Sequence, residues 1–174
     1  MKKSIDTKKT ILYITQSAAI SALYVILTFV FAPISFGAMQ IRIAEALTIL
    51  PLFTPAAVPG LFVGCLIANA VGGAVIWDII FGSAATLIGA WIGYILRFNR
   101  WLVPLPAVAA NSVIVPLVLK YAYGMELPLY LMVIYVALGE IIGCYVLGEI
   151  LASALIKHKK HIFNDTHNKD QTSV

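Results

Sequence analysis

Charged residues are scarce in this chain: they make up 11% of 174 residues, whereas apolar residues make up 61%. An average soluble domain is closer to half apolar and a quarter charged, so this composition excludes an ordinary water-soluble enzyme. It also excludes intrinsic disorder, because disordered segments are poor in apolar residues. The length accommodates one compact domain, or about six membrane crossings of roughly 20 residues each.

The apolar segments also lack the residue patterns of disulfides, metal sites, serine hydrolases and ATP-binding proteins. The two cysteines, Cys65 and Cys144, lie far apart, form no CxxC pair and are interpreted as packing residues. All three histidines (His158, His161, His167) fall near the C-terminus, which excludes an intramembrane histidine as metal ligand or base. There is no GxSxG motif of a serine hydrolase and no GxxxxGK[ST] motif for ATP. We therefore expect no enzyme activity and no cofactor or metal in this chain.

Long apolar runs separated by proline and glycine predict an all-α bundle of six transmembrane helices. The first run, Ile11–Ile34, is too long for a signal peptide and lacks a cleavage site. The six predicted crossings lie at about 11–34, 39–53, 59–71, 77–96, 101–123 and 127–156. The predicted organisation is a basic N-terminus (1–9), a transmembrane substrate-binding domain (10–157) and a polar tail (158–174).

The distribution of lysine and arginine predicts the orientation. Cytoplasmic loops of membrane proteins are enriched in these residues. An even number of crossings with a cytoplasmic N-terminus leaves only Arg42 and Lys120 in the outward half. The remaining basic residues near the crossings then face the cytoplasm: Lys2, Lys3, Lys8, Lys9, Arg97, Arg100, Lys157, Lys159 and Lys160. We expect a multi-pass protein of the cell membrane with both termini cytoplasmic.

Several polar residues lie inside the apolar runs, where each ionisable group costs about 2.5–3.5 kcal/mol or more. They are Gln40, Arg42, Glu45, Asn69, Asp78, Asn111 and Glu140. At about 1.5 Å per helical residue, they fall in the outward half of five helices, and the first helix contributes no charge. This distribution predicts one polar pocket open to the exterior. Glu149 lies about 13 Å deeper than Glu140, and we expect it to meet headgroups or a partner protein.

Structural roles compete with a binding role at some of these positions. Arg42 and Glu45 share a helix face and can simply neutralise each other. Asp78 can be a capping acid at the start of its helix. Trp77 can stack on a flat ligand or be an interfacial aromatic residue. At Glu140 a binding role is favoured over a structural role, because this residue has no basic neighbour in its own helix and is flanked by glycines.

Carboxylates and amides with few basic residues suit a neutral or cationic ligand rich in N–H donors, and not a phosphate. A carboxylate can accept two parallel hydrogen bonds from a guanine-like edge, and Asn or Gln can complete the pattern.

Small residues recur at intervals of four. The GxxxG pairs at Gly60, Gly89 and Gly139 are interpreted as internal packing sites. The first helix carries a stripe of small residues that can either pack inside the bundle or dock a second protein: Ser17, Ala18, Ser21 and Ala22.

The sequence resembles the QueT family, which comprises substrate-binding S components of energy-coupling-factor (ECF) transporters associated with queuosine precursors. The stretches that carry the likeness are FGAMQIRIAEALTILPLF (36–53), GLFVGCLIANAVGG (60–73) and WDIIFGSAATLIGA (77–90). The likeness extends over Ser4–Ile156 and is most specific at Gln40-x-Arg42-x-x-Glu45 and Trp77-Asp78.

The resemblance implies a six-helix S component that captures a 7-deazaguanine base, such as preQ1, preQ0 or queuine, from outside. Its partners would be a transmembrane coupling subunit, docked at Ala18 and Ala22, and two cytoplasmic ATPases that hydrolyse ATP. Glu140 and Asp78 would accept the base's N–H groups or an aminomethyl cation. Asn69, Asn111 and Gln40 would complete the edge, and Glu45 and Arg42 would line the mouth. The alternatives are a proton-coupled secondary transporter, with Glu140 and Asp78 as relay groups, and an S component for another small vitamin.

Overall fold

The computed structural model describes residues 7–32 and 42–162, with side chains to residue 157. All regular structure in these ranges is helical, which confirms the predicted all-α class. The elements are α1 (Thr7–Val30), a 3₁₀ helix (Ile43–Leu52), α2 (Ala57–Val71), α3 (Ile76–Ile95), α4 (Leu105–Tyr121), α5 (Leu129–Glu140), a π segment (Ile141–Leu147) and α6 (Gly148–Ile162). The last three are continuous and form the long final helix.

The helices differ in whether they can cross a bilayer. Three are long and apolar enough: Thr7–Val30, Ile76–Ile95 and Leu129–Lys157. The 3₁₀ helix, α2 and α4 are apolar but contain only 10–17 residues. An α-helix of that upper length spans about 25 Å, less than the roughly 30 Å hydrocarbon core. Each predicted crossing thus corresponds to a helical segment, and three of these segments are shorter than a bilayer.

Proline and glycine set several of the boundaries. Gly73, after α2, and Gly124, after α4, have φ values of 75° and 67°. Residues with a Cβ rarely adopt this region, so glycine is favoured at both turns. Pro106 lies in the first turn of α4, where proline is tolerated because the first helical N–H groups have no acceptor in the helix.

Contacts between glycines and neighbouring helices fix the relative directions of the first segments. Gly60 of α2 packs on Ser17 of α1, and Gly64 packs on Tyr24. Residue numbers rise together along this contact, so α1 and α2 run parallel. The 3₁₀ helix therefore runs back between them, consistent with the hydrogen bond from Thr54 to Gln16 in the N-terminal half of α1.

The final helix is oriented by the same kind of contact. Gly143 faces the backbone of Arg42, and Gly148 faces Ala46, so the final helix runs parallel to the 3₁₀ helix. The start of α1 and the end of α6 thus lie at one end of the bundle. We call this the basic end, because the loop after α3 places Arg97 and Arg100 there. Arg100 forms an ion pair of 2.7 Å with Glu149, so Glu149 has a partner within the chain.

The predicted packing role of the glycine pairs is confirmed for α2 and α3, and it gives a stability prediction. A Cβ added at Gly89 would lie 2.6 Å from the backbone of Ala107 in α4. We expect Gly89→Ala to lower the free energy of unfolding by about 1–3 kcal/mol, since the two backbones must separate. Thermal unfolding in detergent measures the change.

The matched control is Gly148→Ala, where the added Cβ would meet its nearest atom at 3.5 Å, an ordinary contact. Replacing a helical glycine with alanine gains up to about 1 kcal/mol, so this variant should be as stable as the parent protein or more stable. Equal stability of Gly89→Ala and Gly148→Ala would contradict the close approach of α3 and α4.

Candidate functional site

Buried polar side chains form one connected network that extends from the end opposite the basic end to about the middle of the bundle. Its members are at most 7% exposed. They are Tyr24, Arg42, Glu45, Cys65, Asn69, Asp78, Thr86, Asn111, Glu140 and Cys144. We call this set the polar cluster. All six helical segments contribute to it, including the first helix, which supplies Tyr24.

Glu45 connects the first helix to the cluster. The hydroxyl of Tyr24 donates a hydrogen bond of 2.5 Å to Glu45 Oε1. Arg42 precedes Glu45 by one 3₁₀ turn, so both side chains lie on one face, as predicted. Arg42 also interacts electrostatically with Glu45 and Asp78. The guanidinium therefore offsets part of the buried negative charge.

Tyr24 was not predicted as a site residue, because a single tyrosine in an apolar helix resembles an interfacial aromatic residue. A signal was present in the spacing. Ser17, Ser21, Tyr24 and Thr28 recur at intervals of four, three and four, which places them on one helix face. That polar face marks the side of α1 that is turned towards the bundle.

Cys65 occupies the centre of the cluster. Its sulfur accepts from Asn69 Nδ2 at 3.6 Å and Thr86 Oγ1 at 3.4 Å, and Arg42 Nη1 lies 3.9 Å away. Both cysteines are free thiols, so the prediction that they form no disulfide is confirmed. Their interpretation as packing residues alone was incomplete, because both contact polar side chains.

Asp78 is held by the loop that follows α4. The hydroxyl of Tyr123 donates to Asp78 Oδ2 at 3.0 Å and accepts from the backbone N–H of Val75 at 3.3 Å. Asn69 Nδ2 lies 3.4 Å from the backbone oxygen of Asp78. No side chain caps α3 at its N-cap residue Val75, and Asp78 lies in the first turn of this helix, where an acid favours the positive end of the helix dipole. Burial and the neighbouring carboxylate both raise the pKa of the Tyr123 hydroxyl.

Glu140 lies at the junction between α5 and the π segment. Its carboxyl group accepts from Cys144 Sγ at 3.3 Å, and the side chain of Asn111 lies beside it. Glu45, Glu140 and Cys144 each place one potential ligand atom within 4.8 Å of the others. Short π segments inside helices are frequent at functional sites. The structure thus brings two predicted residues from separate helices, Asn111 and Glu140, close to each other, and Glu140 lies close to Glu45.

Some acceptor oxygens in the cluster have no protein partner among the described residues. They are Glu45 Oε2, Asn69 Oδ1 and Asp78 Oδ1. Buried polar groups are nearly always hydrogen-bonded, and leaving one unsatisfied costs about 1–3 kcal/mol. These three oxygens therefore provide acceptor capacity for the N–H groups of a ligand.

Of the remaining predicted binding residues, one lies outside the described residues and one lies away from the polar cluster. Gln40 lies outside the described residues. Trp77 is 54% exposed and stacks on Phe81, with ring centroids 6.0 Å apart. It lines an apolar groove of about 530 Å³ between α3 and α4. The structure therefore does not bring Trp77 into the polar cluster, because the adjacent residues Trp77 and Asp78 face different sides of α3.

The four small residues of the stripe on α1 line one groove and differ in how exposed they are. The hydroxyl of Ser17 donates to the backbone oxygen of Ala56 at 2.9 Å, and Ser21 is buried against Gly64. Ala18 and Ala22 remain exposed and line a groove of about 640 Å³ between α1 and α2. The two serines also line this groove, where they contact α2 and the chain before it, and the two alanines are more exposed.

A family model and a curated relative that match this chain carry the same family name. A family model described as QueT transporter matches residues 14–157, which is most of the chain. The chain is 34% identical over 91 residues to a protein of Lactococcus lactis subsp. cremoris (strain MG1363) described as queuosine precursor transporter QueT. That alignment covers 51% of this chain and 52% of the relative, so the match spans about half the length of each. No solved structure matches the chain.

Proposed function

The chain belongs to the QueT transporter family, and from this membership we propose that it captures a queuosine precursor at the cell membrane. In this proposal it is the substrate-binding S component of an ECF importer. The ligand is a 7-deazaguanine base taken from outside. Transport, and not an enzymatic reaction, is the activity of the family.

The observation that carries the ligand assignment is the set of unpaired acceptors on Glu45, Asn69 and Asp78. A 7-deazaguanine base presents ring and exocyclic N–H groups along one edge. Carboxylate oxygens accept such donors strongly, and Asn69 provides a neutral acceptor beside them. Asn111 and Glu140 add further buried polar groups to the same cluster. This pairing of donors and acceptors explains why the bundle buries groups that hydrocarbon penalises.

In the same proposal the polar cluster faces the exterior and both termini are cytoplasmic. The basic end carries Arg97, Arg100 and Lys157, in agreement with the positive-inside rule. The exposed alanines of α1, Ala18 and Ala22, dock the transmembrane coupling subunit, since small residues allow close approach of helices. Two cytoplasmic ATPases bound to that subunit supply the energy.

The chain alone should bind the ligand, whereas transport should require the partner subunits. We expect the purified chain in detergent to bind preQ1 with one-to-one stoichiometry in calorimetry, and to bind adenine, thiamin and riboflavin much more weakly. Proteoliposomes that contain the chain alone should not accumulate radiolabelled preQ1. Uptake should begin when the coupling subunit, both ATPases and ATP are present.

Two results would contradict this proposal. Accumulation by the chain alone, driven by a pH gradient, would show a proton-coupled secondary transporter. Tight binding of thiamin or riboflavin without binding of any 7-deazaguanine base would show an S component for another vitamin. Mass spectrometry of small molecules retained by the gently purified protein gives an independent readout.

A further inference from the structure

The polar cluster has more buried negative than positive groups. In the described part of the chain, its acids are Glu45, Asp78 and Glu140, and its one basic residue is Arg42. An uncompensated charge that is removed from water is strongly unfavourable. Ionisation of all three acids therefore requires positive charge beyond Arg42, and a cationic ligand can provide it.

The spacing of two of these acids suits an ammonium group. Glu45 and Glu140 each place a potential ligand atom within 4.8 Å of the other, and both residues are at least nine-tenths buried. Charge-assisted N–H···O bonds are about 2.8 Å long, so one tetrahedral nitrogen that donates to two oxygens holds them about 4.6 Å apart. This separation lies below the 4.8 Å limit, so an ammonium held by the two carboxylates is compatible with their positions.

An unpaired atom gives a second, independent indication. Glu45 Oε2 has no partner among the described residues, although the side chain is only 1% exposed. The other oxygen of this carboxyl group already accepts from Tyr24. Cys144 next to Glu140 is a weak acceptor and can complete the surroundings of the nitrogen.

We propose that the site selects 7-deazaguanine bases that carry a protonated amine, and that this amine binds between Glu45 and Glu140. The inference deepens the proposed function and rests on it. Asp78 and Asn69 then remain available for the N–H groups of the ring edge. An aliphatic amine is protonated at neutral pH, as that of lysine is, whereas the nitrile of preQ0 carries no charge.

The test compares two ligands that share the ring and differ in this group. Calorimetry with the purified chain, in buffer that contains a metal chelator, measures the dissociation constants of preQ1 (aminomethyl) and preQ0 (nitrile). We expect the parent protein to bind preQ1 at least tenfold more tightly. In Glu140→Gln and in Glu45→Gln the ratio of the two constants should fall towards one, because the amine loses a charged acceptor.

Glu149→Gln is the matched control, since it removes an acid from the same long helix at the ion pair with Arg100. It should keep the full preference for preQ1. Residual binding of preQ0 by the cluster variants, together with their unfolding temperatures, separates altered selectivity from loss of the fold.

Equal affinities of the parent protein for both ligands would overturn the inference while leaving the proposed function intact. A preference for preQ1 that survives in both cluster variants, or one that appears only after a divalent metal is added, would also overturn it. The absence of binding of either base would instead contradict the proposed function itself.

Discussion

Replacing Asp78 with asparagine is expected to weaken the binding of preQ1 by about 10- to 100-fold. Asp78 Oδ1 is buried and has no partner among the described residues. A hydrogen bond to a charged group contributes about 1.5–3 kcal/mol, and each 1.4 kcal/mol corresponds to a factor of ten in affinity. Calorimetry on the purified variant measures the change.

Tyr123→Phe provides the matched control. It removes the hydrogen bond to the other oxygen, Asp78 Oδ2, and leaves Oδ1 and the negative charge in place. The lost interaction lies outside the proposed ligand contacts, so affinity should change by less than about fivefold, equivalent to roughly 1 kcal/mol. If Asp78→Asn binds preQ1 as tightly as the parent protein, Asp78 does not contact the ligand.

A bulky residue at the exposed alanines of α1 is expected to abolish energised uptake and to leave ligand binding unchanged. Ala18→Trp and Ala22→Trp place an indole in the groove between α1 and α2. Close helix–helix contact in membranes depends on small residues, so the coupling subunit can no longer approach. Uptake of preQ1 by proteoliposomes that contain all subunits should fall at least tenfold.

The control for this prediction is Ala19→Trp. Ala19 is also an exposed alanine of α1, but it is not among the residues that line the groove. Uptake by this variant should remain near that of the parent complex. Full uptake by Ala18→Trp and Ala22→Trp would mean that the coupling subunit docks elsewhere, whereas loss of preQ1 binding would mean that the variants disturb the site itself.

The sequence by itself determined the fold class and the chemical character of the site. Apolar runs punctuated by proline and glycine are sufficient to predict the helical segments, because hydrocarbon forces the backbone to satisfy its own hydrogen bonds. The acids and amides within those runs were identifiable for the same reason: such groups are rare in membranes unless they have a function. Glu45, Asn69, Asp78, Asn111 and Glu140 were predicted in this way, and the structure places all five in the buried polar cluster.

The tertiary structure alone decided which side chains meet. The rotation of each helix about its axis cannot be deduced from composition, so the sequence did not separate Asp78, inside the cluster, from its neighbour Trp77, on the surface. It also gave no reason to place Tyr24, Cys65 and Tyr123 among the acids, because hydroxyl and thiol groups cost little in an apolar run and leave no strong signal. Their positions follow from packing between helices that are distant in the sequence, and only the folded chain brings those helices together.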